Sequence, residues 1–397
     1  MSIRYNLIEY RVPISATLLV LALASMFVLT SQSGSSLVTY VFAIFTLAGL
    51  KSWSSLFLDW AFILVVVLLT YIPLTIFWSA PWNAGQAFGL VVRAVLVLCF
   101  VVAIAEGFRV DWFRGRLNKV MALAGGLAAL AALAVYVIDP PVDGRLFGLG
   151  QLDVHVRAAL VFGVCLVSTI AWVIEEPSWR QRSLAVVLGI ILISAIVLSG
   201  SRNAWASVTL GVVTFVAAVV TSSPRAFGWM VAAGATIMAV VIVVLISSTE
   251  TRDMLLPRGL SFRPAIWAAA IDDVLAHGPV FGRGVLTPDS VRVDGLEFRH
   301  QHSLYIAVFH QGGVVALVLF GALTAVAIVS LLRHFEHPQA KLALGILAIA
   351  LPSYTLDGYE LVDKIGWSWL LYWLPIAISL GLRNSAGLRD AKRFSPE

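Results

Sequence analysis

The sequence predicts an all-α polytopic membrane protein, with about twelve transmembrane helices in one bundle and one long extramembrane loop. Three observations predict this class. Hydrophobic residues fill 60% of the 397 positions and charged residues only 12%, where a soluble domain carries about a quarter. The apolar residues recur in runs of about twenty, the length that crosses a bilayer core as a helix. Only one stretch, 248–302, interrupts that rhythm for long with charge, glycine and proline.

Twelve spans follow, near 12–31, 35–50, 56–78, 85–106, 120–138, 158–174, 183–200, 204–221, 229–247, 304–332, 342–357 and 365–382. The chain reads as a single transmembrane domain over 1–397, with 248–302 as the loop between spans nine and ten. The first span has a basic front end but no small-residue cleavage site after it, so it is expected as a retained helix. Counting Lys and Arg in alternate loops orients the bundle. Sixteen lie on the side of Arg4, Arg114, Lys119, Arg180, Arg333 and Arg393, against four (Arg145, Arg157, Arg202 and Lys364) in the short loops opposite. Basic loops stay cytoplasmic, so both termini are expected in the cytoplasm and the long loop outside. The same rule explains the net charge of +5 without nucleic acid. Cys99 and Cys165 each lie inside an apolar run and offer neither a disulfide framework nor a thiolate metal site.

Within the long loop, "SFRPAIWAAAIDDVLAHGPVFGRG" carries helix punctuation. Ser261 can cap, Pro264 fits the first turn, and Gly278-Pro279 ends the helix. Ile266, Trp267, Ala270, Ile271, Val274 and Leu275 form an apolar stripe. This predicts an amphipathic helix on the outer membrane boundary, with Asp272 and Asp273 on its solvated face. Gly282 and Gly284 then permit a tight turn.

Polar groups concentrate on the outer side, where they are costly at the edge of hydrocarbon unless used or satisfied. "HQHSLYIAVFHQGG" opens span ten. His302 can take a proton from a hydroxyl near neutral pH, or simply anchor the helix. His300 and His302 form an H-x-H pair, but no third metal ligand stands at zinc-site spacing. His310, two turns further in, reads as a helix-packing group. Arg202, in "LSGSRNAWA", is held in a turn with almost no loop and needs an anion, either lipid or substrate phosphate. Arg263 precedes the loop helix, and Arg145 lies in the outer turn "DPPVDGRLFGLGQ". Arg93 falls about two turns below the surface, as an internal salt bridge, a snorkelling anchor or a substrate contact. Arginine grips phosphate with a planar fork and histidine supplies a base. The set suits a reaction in which a phosphate leaves and a hydroxyl attacks.

At these residues the sequence resembles the O-antigen ligase family, in the wider group with O-antigen polymerases and protein O-oligosaccharyltransferases. "SGSRNAW", "RPAIWAAAIDDVLAHGPVFGRG" and "HQHSLYIAVFHQGG" match the family's helix-ending S-R, R-x-x-x-W with P-x-x-G-x-G, and H-x-H-[NS], in order, across roughly 190–320. Ser303 stands where asparagine is frequent. The resemblance implies a GT-C-like glycosyltransferase of the Gram-negative inner membrane with a periplasmic active site. It would move a glycan from undecaprenyl diphosphate to a lipid A–core hydroxyl, inverting and without metal or cofactor. By position, His302 would be the base. Arg202 and Arg263 would hold the diphosphate, with Arg145 and Arg93 as weaker candidates. Trp267, Gly282 and Gly284 would shape the loop. A late-span acid is also implied, and "LDGYELVDK" offers both Asp357 and Asp363. Membrane lipids are the remaining expected partners. The same donor would serve an O-antigen polymerase, and a flippase is the reading from another class. A flippase, however, should line a path with polar groups on many spans.

Overall fold

The computed structural model describes residues 14, 17–27, 32–47, 53–108, 110–221, 223–232, 234, 236 and 262–393. They form α1 (Thr17–Phe27), α2 (Gln32–Leu47), α3 (Trp60–Leu74), α4 (Ala84–Gly107), α5 (Asp111–Ile138) and α6 (His155–Glu175). After these come α7 (Trp179–Leu198), α8 (Arg202–Val220), α9 (Arg263–His277), α10 (Leu304–Arg333), α11 (Pro338–Leu356) and α12 (Leu374–Arg393). Among the described residues, eight helices are long and apolar enough to cross a membrane: α3 with its terminal turn, α4 to α8, α10 and α11. The chain is therefore an all-α polytopic membrane protein. Of the other four expected spans, α1 and α2 are shorter apolar helices. A π-turn, Trp369–Trp373, leads into α12 at the fourth. Span 229–247 lies mostly outside the described residues, as do Ser261, the loop start and Arg4.

Lipid-facing and core-facing sides separate at helical spacing. On α7, Ala185, Leu188, Leu192, Ala195 and Ile196 are buried, whereas Val186, Val187, Ile190, Ile193 and Val197 are exposed. With lipid as apolar as the side chains, close packing must hold the helices together, and small residues permit it. A Cβ on Gly126 would meet the Leu188 side chain at 2.6 Å, and one on Gly345 the Phe215 Cβ at 2.8 Å. These contacts press α5 against α7 and α11 against α8.

Short connections make sequential helices run antiparallel, so alternate ends collect on two faces. One face is tied by charge. Asp59 caps α3 by accepting from Ala61 N, and Arg383 grips it with two hydrogen bonds of 2.8 and 2.7 Å. Lys119 reaches Glu176 at 2.6 Å. The opposite face carries the starts of α6, α8 and α10, the end of α11 and the long loop. Cross-links there are Asn203 Nδ2 to the Ser353 carbonyl (3.2 Å), Ser303 Oγ to the Tyr354 carbonyl (3.4 Å) and Tyr305 OH to the Leu351 carbonyl (2.7 Å).

Two expectations about the loop change. The apolar stripe of α9 is covered by protein: Ile266 and Ala270 are buried with Val291 of a β-hairpin and with Ile306 of α10. Only Leu275 at its end is exposed. That hairpin, Val291–Val293 with Leu296–Phe298, turns at Asp294 (φ 51°) and Gly295 (φ 79°), the two positive φ angles of a type I′ turn.

Span ten is also not one continuous helix. Gly313 takes φ 64°, ψ −159° and breaks α10. The break would strand backbone groups inside the bundle, where each must find a partner. Residues 279–284 supply them. Arg283 N and Gly284 N donate to the His310 and Gln311 carbonyls (2.7 and 3.1 Å), and Val314 N and Val315 N donate to the Pro279 and Val280 carbonyls (2.9 and 3.2 Å). Tyr71 of α3 donates to the Gly312 carbonyl at 2.8 Å. A Cβ on Gly282 would stand 2.5 Å from Gly313 N, so Gly282 is a close-approach residue as well as a turn residue. Gly284 is pressed likewise against Thr75 and Ser79 at the end of α3. The same docking corrects the reading of Asp273 as solvated. It lies 3.1 Å from Arg283 Nε, 3.3 Å from His277 Nδ1 and 3.7 Å from His310 Nε2. Asp272 stays exposed. His310 is 3% exposed. It is not the satisfied packing group expected: its Nδ1 has no hydrogen-bond partner among the described residues.

Candidate functional site

The strap His300–Ser303 enters α10 over the end of α11. His302 adopts φ 52°, a left-handed conformation that costs a non-glycine residue roughly 1–2 kcal/mol. Surrounding contacts hold it there. Gln301 is fully buried, and its carbonyl accepts from Trp267 Nε1 at 3.0 Å. The His302 N–H donates to His300 Nδ1 at 3.3 Å, the two imidazole centroids lie 4.0 Å apart, and His300 stacks on Tyr359 at 4.8 Å. Trp267 therefore fixes α9 to the histidine strap.

Burial pushes the His300 imidazole down to about 4, helped by His302 and Arg157 and opposed by Asp357. Burial also lowers the proton affinity of His302, against Asp357 and with Arg263 and Arg157. Both rings are therefore neutral near pH 7, and a neutral ring can accept a proton.

The α7–α8 turn stands beside them. Gly200 (φ 62°) ends α7 in the αL conformation, and Ser201 Oγ accepts from Ala204 N to cap α8. Arg202 is thereby presented, exposed, as the first residue of α8. Arg145 lies along this turn: a Cβ on Gly200 would be 3.4 Å from its Cγ, and its Nη1 is 3.0 Å from His155 Nε2. Arg145 and Arg202 thus share one turn, and Asn203 ties that turn to the end of α11, where His302 and Ser303 also sit.

Arg93 and Asp363 belong to a second group. Arg93 pairs with Glu360 at 3.3 Å, so the internal salt bridge describes it. Burial raises the Glu360 carboxyl to about 8, Asp363 adds to the shift, and Arg93 offsets it only in part. Burial also raises Asp289 to about 6. Of the two late acids, Asp357 is the one whose charge reaches both His300 and His302. It closes α11 and accepts from Gly358 N at 2.8 Å. Sequence reasoning had counted Arg157 only as a loop charge and missed Tyr359 and Trp367. The available signal was an arginine inside the apolar run that became α6.

Part of the chain, residues 185–321, matches a family model described as O-antigen ligase. An O-antigen ligase from Pseudomonas aeruginosa (strain PAO1) is 27% identical over 330 residues, covering 81% of this chain and 77% of that protein. The O-antigen ligase match runs from α7 through Arg202, Arg263 and His302 to just past the break in α10. It leaves Arg93, Arg145, Arg157, Asp357 and Asp363 outside.

Proposed function

We propose that the protein transfers a glycan from undecaprenyl diphosphate to a hydroxyl of lipid A–core at the periplasmic face of the Gram-negative inner membrane. The observation that carries this reading is a neutral His302 beside Arg263, on the face that also presents Arg202 and Arg145. The acceptor hydroxyl attacks the anomeric carbon of the first donor sugar. The bond from that carbon to the diphosphate oxygen breaks, and the configuration inverts. His302 takes the hydroxyl proton. Arg202 and Arg263, with Arg145 flanking, neutralise the charge that grows on the departing diphosphate, the task a metal would otherwise perform. Asp357 steadies the proton once it is on His302. Arg93, engaged with Glu360, stands outside the set.

The Lys and Arg bias supports both termini in the cytoplasm and the long loop, 248–302, in the periplasm. Twelve spans of a single membrane domain keep the termini on one side. An apolar cavity of ≈460 Å³ between α3 and α4, lined by Leu69, Pro73, Phe77, Phe88, Val91 and Val95, fits a segment of the polyprenyl chain. Its upper end adjoins the loop that docks on α3 through Thr75 and Ser79.

The test is glycan transfer by purified protein in chelator, comparing wild type, His302→Asn and Arg202→Ala. Asparagine tolerates the αL conformation, so it removes the base with little backbone effect. Transfer to lipid A–core that survives chelation and fails in both variants supports the reading. Growth of the lipid-linked glycan with lipid A–core untouched assigns a polymerase. No transfer to either acceptor returns the flippase.

A further inference from the structure

Arg157 lies in the first turn of α6, three residues after the N-cap Val154. Its guanidinium carbon stands 5.2 Å from the Tyr359 ring centroid and 5.5 Å from that of Trp367. A side-chain hydrogen bond also joins it to Tyr359. Its Nε is buried and has no hydrogen-bond partner among the described residues. Arg93, Arg114, Arg283, Arg292 and Arg383 each face a carboxylate. Arg157 faces none among the described residues.

A half-buried cation without an anion is unfavourable unless something compensates it. Here aromatic rings do part of that work. Stacking occupies the flat faces of a guanidinium and leaves its N–H edge for the oxygens of an anion such as phosphate. Tyr359 also stacks on His300, so the cation and the histidine pair are held by one side chain. The charge of Arg157 is felt by both imidazoles.

We propose that Arg157 binds the anionic oxygens of a substrate phosphate beside the His300–His302 pair, with Tyr359 and Trp367 holding its fork in place. The proposal rests on the transfer reading above. A phosphate could come from the donor diphosphate or from a phosphorylated acceptor core.

The experiment uses full-length wild type, Arg157→Gln and Arg157→Lys. It measures binding of undecaprenyl diphosphate, and of lipid A–core with and without its core phosphates, together with transfer kinetics and their pH profile. Arg157→Gln is expected to weaken the phosphate-bearing ligand by roughly tenfold or more, with partial rescue by lysine. It should also move the acid limb of transfer to higher pH, because one of the charges opposing protonation of His302 is gone. A loss confined to undecaprenyl diphosphate assigns the donor. A loss confined to acceptor, and abolished by removing its core phosphates, assigns the acceptor. Unchanged binding of both ligands in folded Arg157→Gln overturns the proposal. If that variant does not fold, Arg157→Lys decides: wild-type binding of both ligands overturns it equally. Wild type that binds undecaprenyl diphosphate without transferring glycan sinks the transfer reading and leaves the binding comparison standing.

Discussion

Replacing Gly282 with alanine tests the junction between the loop and the broken helix. Two terms act. The φ of 71° costs alanine about 1–2 kcal/mol. The new Cβ would also stand 2.5 Å from Gly313 N and 2.7 Å from the His310 carbonyl, both backbone atoms that cannot swing aside. Backing the loop away weakens four backbone hydrogen bonds between 279–284 and α10, each worth about 1 kcal/mol. The expected loss is about 3–5 kcal/mol. The unfolding entropy of folded chains, about 2 cal/mol/K per residue, converts this to a fall of about 4–6 °C in the thermal midpoint of detergent-solubilised protein. Gly295→Ala is the matched control. Its φ is 79°, but a Cβ there meets nothing within 4 Å, so only the conformational term of about 1–2 kcal/mol remains. Equal midpoints for the two variants would refute the claim that close approach, and not backbone conformation alone, fixes this junction.

The pH profile of transfer should fall on the acid side with an inflection below 6.5, because the lowered His302 pKa keeps the ring neutral until the medium is more acidic than free imidazole requires. The same lowering makes His302 contribute instability as pH falls from the unfolded value through the folded one, and His302→Asn, inactive in transfer, should abolish this pH dependence of the thermal midpoint. Arg383→Gln leaves Asp59, 14% exposed at its side chain, without its fork. A loss of about 1–3 kcal/mol is expected after discounting for partial exposure, and Asp59→Asn in the same chain should restore much of it, as read by a double-mutant cycle of thermal midpoints. Val91→Trp should fill the cavity between α3 and α4 and raise the KM for polyprenyl-linked donor severalfold, while a water-soluble short-chain donor analogue is less affected. Equal effects on both donors would remove the cavity from the lipid path.

The site was legible where local chemistry writes it. Gly200 and Ser201 end one helix and start the next, so the exposed Arg202 could be placed from seven residues. Pro264 marked the start of α9, and the H-x-H spacing singled out His302. Long-range contacts were not legible. Arg157 acquires meaning from Tyr359 and Trp367, about two hundred positions away, which in sequence are ordinary aromatic residues near a helix start. Asp357 and Asp363 lie six positions apart, and only the fold turns one toward the histidines and the other toward Glu360. Gly312-Gly313 in an apolar run reads as tolerated small residues, and docking of 279–284 is what breaks the helix. The Asp294-Gly295 turn carried a local hairpin signal that the sequence reading passed over.

The break in α10 bears on how this chain can be recombined. Residues 71–79, 279–287 and 310–315 close one another's backbone hydrogen bonds, so they behave as one inheritable cassette despite their separation in sequence. A chimera that imports the outer loop from a relative but keeps the host's α3 end and α10 start would join mismatched halves of that cassette. Exchange points placed after residue 287 and before residue 300 would leave the junction whole. They would move only the hairpin, which packs on α9 through Val291 and can vary without reopening the membrane helix.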